Sequence, residues 1–127
     1  MPPSPRAPFC WKSNSLEPVE INAGTWYLRA LRADTRVSDV PALADLGVDD
    51  PAGCVARAAA GWAAETLFTW AVCIPTTGEL VALITITPAG DTAVREGRAR
   101  DGYDDALTAA LDPVGRFTEG MLGLTIR

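Results

Sequence analysis

The chain contains no histidine, and its three cysteines, Cys10, Cys54 and Cys73, are widely spaced without a CxxC pair. Structural zinc sites use cysteine and histidine at short, regular spacings, so we expect no metal site in this protein. Cys73 lies in an apolar run and Cys54 lies near a predicted helix start, which favours small buried side chains. A catalytic cysteine would need a base other than histidine.

Lysine is almost missing as well. It accounts for one of eleven basic residues, and sixteen acidic residues give the chain a net charge of −5. Nucleic-acid binding rewards a basic surface, so this composition argues against a nucleic-acid partner. The shortage of lysine and the abundance of alanine are typical of GC-rich coding, and we expect an actinobacterial source.

Long hydrophobic runs are also absent. The longest, at about Leu80 to Ile84, is far shorter than the roughly 18 residues that a membrane helix needs. The opening residues, Met1 to Pro8, lack the apolar centre of a secretory signal. We therefore expect a cytoplasmic protein without a membrane partner.

The composition that remains is that of a globular protein, with 48% hydrophobic and 21% charged residues in 127 positions. This length predicts one domain with a real core. Five of the ten prolines fall within residues 1–18, which predicts an extended and flexible arm. We expect residues 19–127 to form a single folded domain.

The first half of the domain predicts one strand and two helices. The segment from Trp26 to Leu31 fits a strand buried on both faces. Ser38 to Leu46 has helical spacing, with Ser38 as the predicted N-cap and Gly47 as the stop signal. Asp50 and Pro51 open a second helix, which is predicted to end at Glu65.

The second half predicts a hairpin, a polar strand, a helix and the start of a last strand. Residues 68–87 form two apolar strands around a turn at 75–79, where Gly78 supplies the positive φ. Ala93 to Ala99 predicts a further strand. Ala106 to Leu111 is helical, and Asp112-Pro113 indicates that a helix continues or restarts there. Leu124 to Arg127 predicts the last strand.

Two segments resemble a known family. They read Trp26-Tyr-Leu-Arg-Ala-Leu-Arg-Ala-Asp34 and Thr69-Trp-Ala-Val-Cys-Ile-Pro-Thr-Thr-Gly-Glu-Leu80. Both are similar to GNAT-type N-acetyltransferases, in the branch that acetylates ribosomal-protein N-termini. The resemblance implies an α/β fold. Its sheet would be mixed, with both parallel and antiparallel strands, as in α+β proteins. The resemblance also implies a GNAT-like fold that lacks the C-terminal strands and is completed by dimerisation, because an open sheet edge is normally covered.

The same resemblance implies where acyl-CoA would bind. In the family, the loop between the fourth strand and the next helix reads Arg/Gln-x-x-Gly-x-Gly/Ala, which lets the pyrophosphate reach amides at the helix N-terminus. Here the basic residue and both glycines of that pattern are missing. Asp104 and Asp105 stand where the phosphates would bind, or they serve as N-caps. The candidate cofactor-binding residues are Ala99, Arg100, Gly102, Asp104, Asp105, Ala106 and Leu107.

Glu96 and Tyr103 are the candidate catalytic residues that the resemblance implies. Glu96 would deprotonate the amine through water, and Tyr103 would protonate the leaving thiolate. Alternatively, Glu96 faces solvent and pairs with Arg95 or Arg98, and Tyr103 only packs. Arg95, Arg98 and Arg100 would bind a phosphate or carboxylate, or else neutralise the nearby aspartates.

The sequence thus predicts an acetyl-CoA-dependent N-acetyltransferase that acts on an amine, without a metal. The alternative is a degenerate GNAT-fold protein without acyl-CoA chemistry, which binds a small molecule, serves a secondary-metabolism pathway or acts as an assembly module. A third hypothesis is the remnant of a gene that lost its 3′ part. Trp26, Trp62 and Trp70 would form the core or line a cleft for a flat apolar ligand. A homodimer is expected.

Overall fold

The computed structural model describes residues 19–34 and 36–126, so the predicted arm at 1–18 lies outside the described residues. A central sheet separates α3 from α1 and α2. The strands are β1 (Ile21–Ala23), β2 (Trp26–Arg29), β3 (Phe68–Cys73), β4 (Leu80–Ala89), β5 (Thr92–Ala99) and β6 (Thr125–Ile126). The helices are α1 (Val40–Asp45), α2 (Pro51–Ala64) and α3 (Asp104–Met121).

The described strands form one six-stranded sheet in the order β1-β2-β3-β4-β5-β6. Neighbouring strands are antiparallel, except that β5 and β6 are parallel. The predicted mixed sheet of an α+β fold is therefore confirmed. None of the helices in the described part of the chain has the length and apolar content that a membrane crossing requires.

The centre of the sheet is the predicted hairpin, β3 and β4. All six residues of β3 are buried, as are the first five of β4, because helices cover both faces of these strands. The turn between them holds Gly78 at a φ of 74°, the positive value that its position was predicted to need.

On one face of the sheet, which we call the α3 face, the core is built around aromatic rings. Trp62 reaches this cluster from α2, and its ring centroid lies 5.1 Å from those of Phe68 and Trp70 and 6.1 Å from that of Phe117. The Trp62 Nε1–H donates a 3.1 Å hydrogen bond to the Thr69 carbonyl. Trp62 and Trp70 are at most 1% exposed, so both form core and neither can line an accessible cleft.

The opposite face, which we call the α1–α2 face, carries a second apolar cluster. Leu43 of α1 and Ala58 of α2 pack there on the sheet residues Ala71, Cys73 and Leu80. Alternation along the strands divides the side chains between the two clusters, since Trp70 and Val72 point to the α3 face while Ala71 and Cys73 point to the other.

The two shorter helices begin close to the predicted positions. Asp50 caps α2 as predicted, and its side chain accepts a hydrogen bond from the Gly53 amide. The N-cap residue of α1 is Asp39 rather than the predicted Ser38, because α1 begins at Val40, but the Ser38 hydroxyl does accept a 3.3 Å hydrogen bond from the Val40 amide. The Asp39 side chain makes no capping bond, since it is used by another partner.

That partner is Arg29, and the pair forms a buried clamp between β2 and α1. The guanidinium donates two hydrogen bonds of 2.8 Å to the Asp39 carboxylate, and both side chains are less than 10% exposed. Arg29 also donates to the Gly78 carbonyl at 2.9 Å, while Asp39 accepts from the Arg32 amide at 2.7 Å. The clamp therefore ties three separate segments of the chain together.

Helix α3 is a single helix of 18 residues rather than two pieces, and Pro113 lies inside it. A proline in a helix interior removes one backbone hydrogen bond and disturbs the preceding turn. Arg95 of β5 donates a 3.0 Å hydrogen bond from its guanidinium to the Leu111 carbonyl in this region. Gly115 leaves room for that guanidinium, since a Cβ at this position would lie 3.0 Å from Arg95 Nη1.

Candidate functional site

The predicted cofactor loop lies between the end of β5 and the start of α3. The Arg100 amide donates to the Val81 carbonyl at 2.9 Å, and the Tyr103 amide donates to the Arg100 carbonyl at 3.0 Å. Gly102 has a φ of 86°, a conformation that side chains with a Cβ rarely adopt. The loop is thus a tight turn that depends on Gly102.

The first turn of α3 carries two exposed carboxylates. The prediction that Asp104 and Asp105 are N-caps is wrong, because the N-cap is Tyr103 and these aspartates occupy the first helical turn. The Tyr103 carbonyl accepts from the amides of Ala106 and Leu107, while the amides of Asp104 and Asp105 have no partner within the helix. Negative charge here stabilises the helix through its dipole.

The remaining candidate cofactor residues differ in accessibility. Ala106 is fully buried under the sheet, and Leu107 is half-buried against the core. A Cβ on Gly97 would lie 2.6 Å from the Leu107 side chain, so Gly97 lets α3 approach β5 closely. Ala99 is half-buried at the end of β5. Backbone groups, rather than these side chains, are what this part of the site offers to a ligand.

Arg100 is fully engaged by neighbours on the α1–α2 face. Its guanidinium forms ion pairs with Glu79 at 2.6 Å and Asp45 at 2.8 Å, and donates to the Leu80 carbonyl at 3.2 Å. The hydrogen bond to Glu79 raises the pKa of Arg100 above its ordinary value. These contacts border an open groove of about 560 Å³ whose lining residues are Asp45, Leu46, Glu79, Ala99, Arg100, Asp101 and Tyr103.

The residues at this end of the site do not fit the phosphates of acyl-CoA. Three carboxylates, those of Asp45, Glu79 and Asp101, surround the one guanidinium in the groove, and Asp104 and Asp105 follow in α3. A like-charge contact at ~4 Å costs about 1 kcal/mol in water and about 4 kcal/mol near a protein surface. A helix N-terminus contributes only about 0.3–2 kcal/mol toward an anion. At that distance, repulsion would therefore outweigh the helix dipole.

Glu96 lies on the α1–α2 face of β5, opposite Thr85 of β4. Its exposed side chain borders a groove of about 440 Å³ that is also lined by Leu83, Thr85, Gly97 and Arg98. Arg98 does not pair with Glu96, because its guanidinium donates to the Leu46 carbonyl at 3.1 Å. Within the described residues, no ion pair includes Glu96. The carboxylate of Glu96 is thus available to a ligand.

Tyr103 packs on the other face of the sheet. Its ring meets Trp26 edge-on, with centroids 6.3 Å apart and planes at 81°. Both residues are half-buried against the core of the α3 face. The two candidate catalytic residues therefore border different grooves, and the structure does not bring Glu96 and Tyr103 together.

One edge of β5 is open over most of its length. Strand β6 pairs with β5 only at Thr92 and Ala93, through Thr125 and Ile126. Within the described residues, the stretch from Val94 to Ala99 has no strand partner on that side. This open edge runs from β6 to the loop before α3, and it passes Glu96 midway. We call it the β5 edge.

The two described cysteines are poor nucleophiles, as their apolar surroundings predicted. Burial raises the pKa of Cys73 to about 11, and burial also raises the pKa of the half-buried Cys54. No group of acidic residues or cysteines that could hold a metal occurs in the described parts of the chain. The cysteines thus belong to the packing of the α1–α2 face rather than to a site.

The shift at Cys73 gives a pH-dependent stability. Its pKa in the folded protein lies above the unfolded value of about 8.5, so the protonated thiol contributes stability that is complete below that value. This contribution declines as pH rises toward about 11. We expect the stability difference between the wild type and Cys73→Ala to shrink by about 1–2 kcal/mol between about pH 8 and pH 10.

Urea unfolding at several pH values measures this difference. Cys54→Ala is the matched control, because the Cys54 thiol is half-exposed and should show a smaller pH effect. A Cys73→Ala difference that stays constant across this range would contradict the expected role of burial.

The sequence did not indicate the partners of the arginines. Arg29 lies in the first segment that resembles the family, but no pattern in the sequence marks Asp39, ten residues later, as its partner. Arg95, Arg98 and Arg100 are occupied by the carbonyls of Leu111 and Leu46 and by the carboxylates on α1 and the β3–β4 turn. Within the described residues, none of these three arginines forms an ion pair with Asp91, Asp101, Asp104 or Asp105, so the predicted neutralisation by nearby aspartates is not found there.

Comparison with known proteins identifies the fold. No protein-family model matches the chain, and no curated protein sequence matches it. A solved structure from Vibrio cholerae, assigned as a ribosomal-protein-serine acetyltransferase, matches with a TM-score of 0.72 and 16% identity. The match covers 85% of this chain and 71% of that one.

Two further solved structures give the same result. A protein from Sphaerobacter thermophilus DSM 20745 that is assigned as an acetyltransferase has a TM-score of 0.56 and 19% identity, over 85% of this chain and 67% of its own. An acetyltransferase from Agrobacterium tumefaciens str. C58 has a TM-score of 0.54 and 15% identity, over 94% and 74%. This chain has the fold of the GNAT-type acetyltransferases, as its hairpin sequence predicted.

Proposed function

We propose that this chain is an N-acetyltransferase of GNAT type, which transfers the acetyl group of acetyl-CoA to an amine. The observation that carries the proposal is the β5 edge, which lies in an acetyltransferase fold and leads to the first turn of α3. An unpaired strand edge presents free N–H and C=O groups, to which an extended ligand with amides can add as a further strand. The pantetheine arm of an acyl-CoA is such a ligand.

The residues of the chain have separate roles in this proposal. Acetyl-CoA supplies an acetyl group that is already activated as a thioester. The backbone of residues 94–99 would orient the arm, and the exposed carboxylate of Glu96 would accept a proton from the amine, directly or through one water. The candidate acid, Tyr103, packs on the opposite face of the sheet from Glu96, so it could protonate the thiolate only if that group left toward the α3 face. The described residues at this end of the site do not match the charge of the phosphates.

A second candidate function is a ligand-binding domain that has lost acyl-CoA chemistry. The acidic first turn of α3 favours it, as does the separation of Glu96 from Tyr103 on opposite faces of the sheet. Such a domain would hold a small molecule of a metabolic pathway in the groove beside Glu96, or it would serve in an assembly. It would need neither a thioester nor a base.

Calorimetric titration with acetyl-CoA, followed by an assay of acetyl transfer to a panel of amines, separates the two functions. If the chain is an acetyltransferase, acetyl-CoA should bind saturably and acetyl transfer to an amine should be measurable. Glu96→Gln should lower the transfer rate by about 10²–10⁴-fold and leave donor affinity unchanged, because a general base acts after binding. Glu119→Gln makes the same charge change at an exposed position of α3 and should alter neither quantity.

No binding and no transfer with either acetyl-CoA or S-acetylpantetheine would contradict the acetyltransferase function and leave the ligand-binding function. The mass of the protein in solution is measured on the same sample, since we propose a homodimer whose second copy covers the outer edge of β6 and leaves the β5 edge open. A monomeric mass at assay concentration would contradict the dimer alone.

A further inference from the structure

The end of the site beside α3 is acidic where a phosphate-binding site needs positive charge. Asp101, Asp104 and Asp105 are exposed in the loop and the first turn of α3, and Arg100 is held by Glu79 and Asp45. We infer that the donor is recognised by its arm and acyl group alone, and that these carboxylates select against the CoA nucleotide in favour of uncharged acyl thioesters. This inference rests on the proposed N-acetyltransferase function.

Arg100 is the first reason for this selectivity. A guanidinium that turned toward the α3 amides would have to leave two ion pairs and a carbonyl on the α1–α2 face. Both carboxylates would then stay behind without their partner, still in the same groove. Release of Arg100 would therefore leave two carboxylates without a counter-charge in the groove while it supplied one positive charge, and the site would remain unfavourable for phosphate.

The aspartates are the second reason. The backbone amides of Asp104 and Asp105 have no partner within the helix, and they are the groups that a phosphate would use. The two carboxylates belong to the same residues. The carboxylates meet any anion that approaches these amides, and they already interact favourably with the helix dipole. A phosphate would gain little from the dipole and would be repelled at short range.

The arm of a thioester donor meets no such obstacle. The β5 edge offers neutral backbone groups from Val94 to Ala99, and hydrogen bonds to a strand edge do not depend on net charge. The edge reaches the loop at Arg100 without crossing the first turn of α3. A donor that ends before the nucleotide would use the edge and avoid the carboxylates.

The test compares two donors by calorimetry on the full chain. S-acetylpantetheine and acetyl-CoA share the arm and the acetyl thioester, but only acetyl-CoA carries the phosphates and the nucleoside. We expect S-acetylpantetheine to bind at least as tightly as acetyl-CoA. Raising NaCl from about 0.02 M to about 0.3 M should strengthen acetyl-CoA binding severalfold, because salt screens repulsion, and should leave S-acetylpantetheine unchanged.

The variant Asp104→Asn/Asp105→Asn tests the residues themselves. We expect it to bind acetyl-CoA on the order of tenfold more tightly than the wild type, with no change for S-acetylpantetheine. The control Asp112→Asn/Glu119→Gln removes the same charge from exposed positions farther along α3 and should have little effect. Melting curves of both double variants, and of the single variants Asp104→Asn and Asp105→Asn, show whether a change in affinity comes from a change in folding.

Two results would overturn the inference in different ways. If acetyl-CoA binds at least tenfold more tightly than S-acetylpantetheine and weakens with salt, the phosphates are attracted to the protein. The selectivity is then wrong while the acetyltransferase function stands. If neither donor binds, the acetyltransferase function falls and this inference falls with it.

Discussion

Asp39→Ala should destabilise the domain by about 3–5 kcal/mol, which is the usual cost of leaving one member of a buried ion pair without its partner. The Arg29 guanidinium is at most 8% exposed and would lose both of its 2.8 Å hydrogen bonds to the carboxylate. The Arg32 amide would lose its acceptor as well. Urea unfolding followed by tryptophan fluorescence measures the change.

The control for this prediction is Asp45→Ala, which makes the same substitution at the end of α1. Asp45 is 62% exposed and pairs with Arg100 at the surface, so its loss should cost no more than about 1 kcal/mol. If Asp39→Ala does not fold, Arg29→Met/Asp39→Leu keeps the prediction testable. Replacing both charges by apolar groups should recover most of the stability. Equal effects of Asp39→Ala and Asp45→Ala would refute the buried clamp.

Trp62→Ala should have a similar effect, a loss of about 3–5 kcal/mol, because it removes a large core side chain and leaves a cavity. Trp62 is 1% exposed, and its ring lies between those of Phe68, Trp70 and Phe117. The Thr69 carbonyl would also lose the hydrogen bond from the indole N–H. Thermal and urea unfolding of the same variant measure the loss.

Two substitutions divide this effect into its parts. Trp62→Phe keeps most of the packing and loses the hydrogen bond to Thr69, so we expect a loss of about 1–3 kcal/mol. Trp26→Ala removes the same kind of ring from a half-buried position and should cost clearly less than Trp62→Ala. Similar losses for Trp62→Ala and Trp26→Ala would show that the aromatic cluster is not the centre of the core.

The sequence was sufficient for the hairpin of β3 and β4 because each residue there obeys local rules. Apolar runs set the strands, and Gly78 sets the turn. The capping of α1 shows where local rules stop. Ser38 and Asp39 are both good N-caps, and only the position of Arg29 in the folded sheet decides that the Asp39 carboxylate is used elsewhere. The strand β1 was missed because three residues carry too little pattern.

The candidate site was harder to predict for a related reason. Whether Glu96 and Tyr103 meet depends on which face of β5 each residue serves and on where α3 begins. A shift of one residue moves a side chain to the other face of a strand. The prediction that Asp104 and Asp105 are caps failed by one or two positions at such a boundary. Element boundaries are set by tertiary packing, which the sequence pattern does not contain.

The sheet order has a consequence for the sequence of events in folding. Strands β3, β4 and β5 are joined by short turns, so their pairing needs only local loop closure. Strand β2 pairs with β3 across an interval that includes α1 and α2, and closing a longer loop costs more entropy. We therefore expect the β3–β5 meander to form early, and the β1–β2 hairpin to dock late. The hydrogen bonds of Arg29 to Asp39 and Gly78 would then mainly lower the unfolding rate and have little effect on the folding rate.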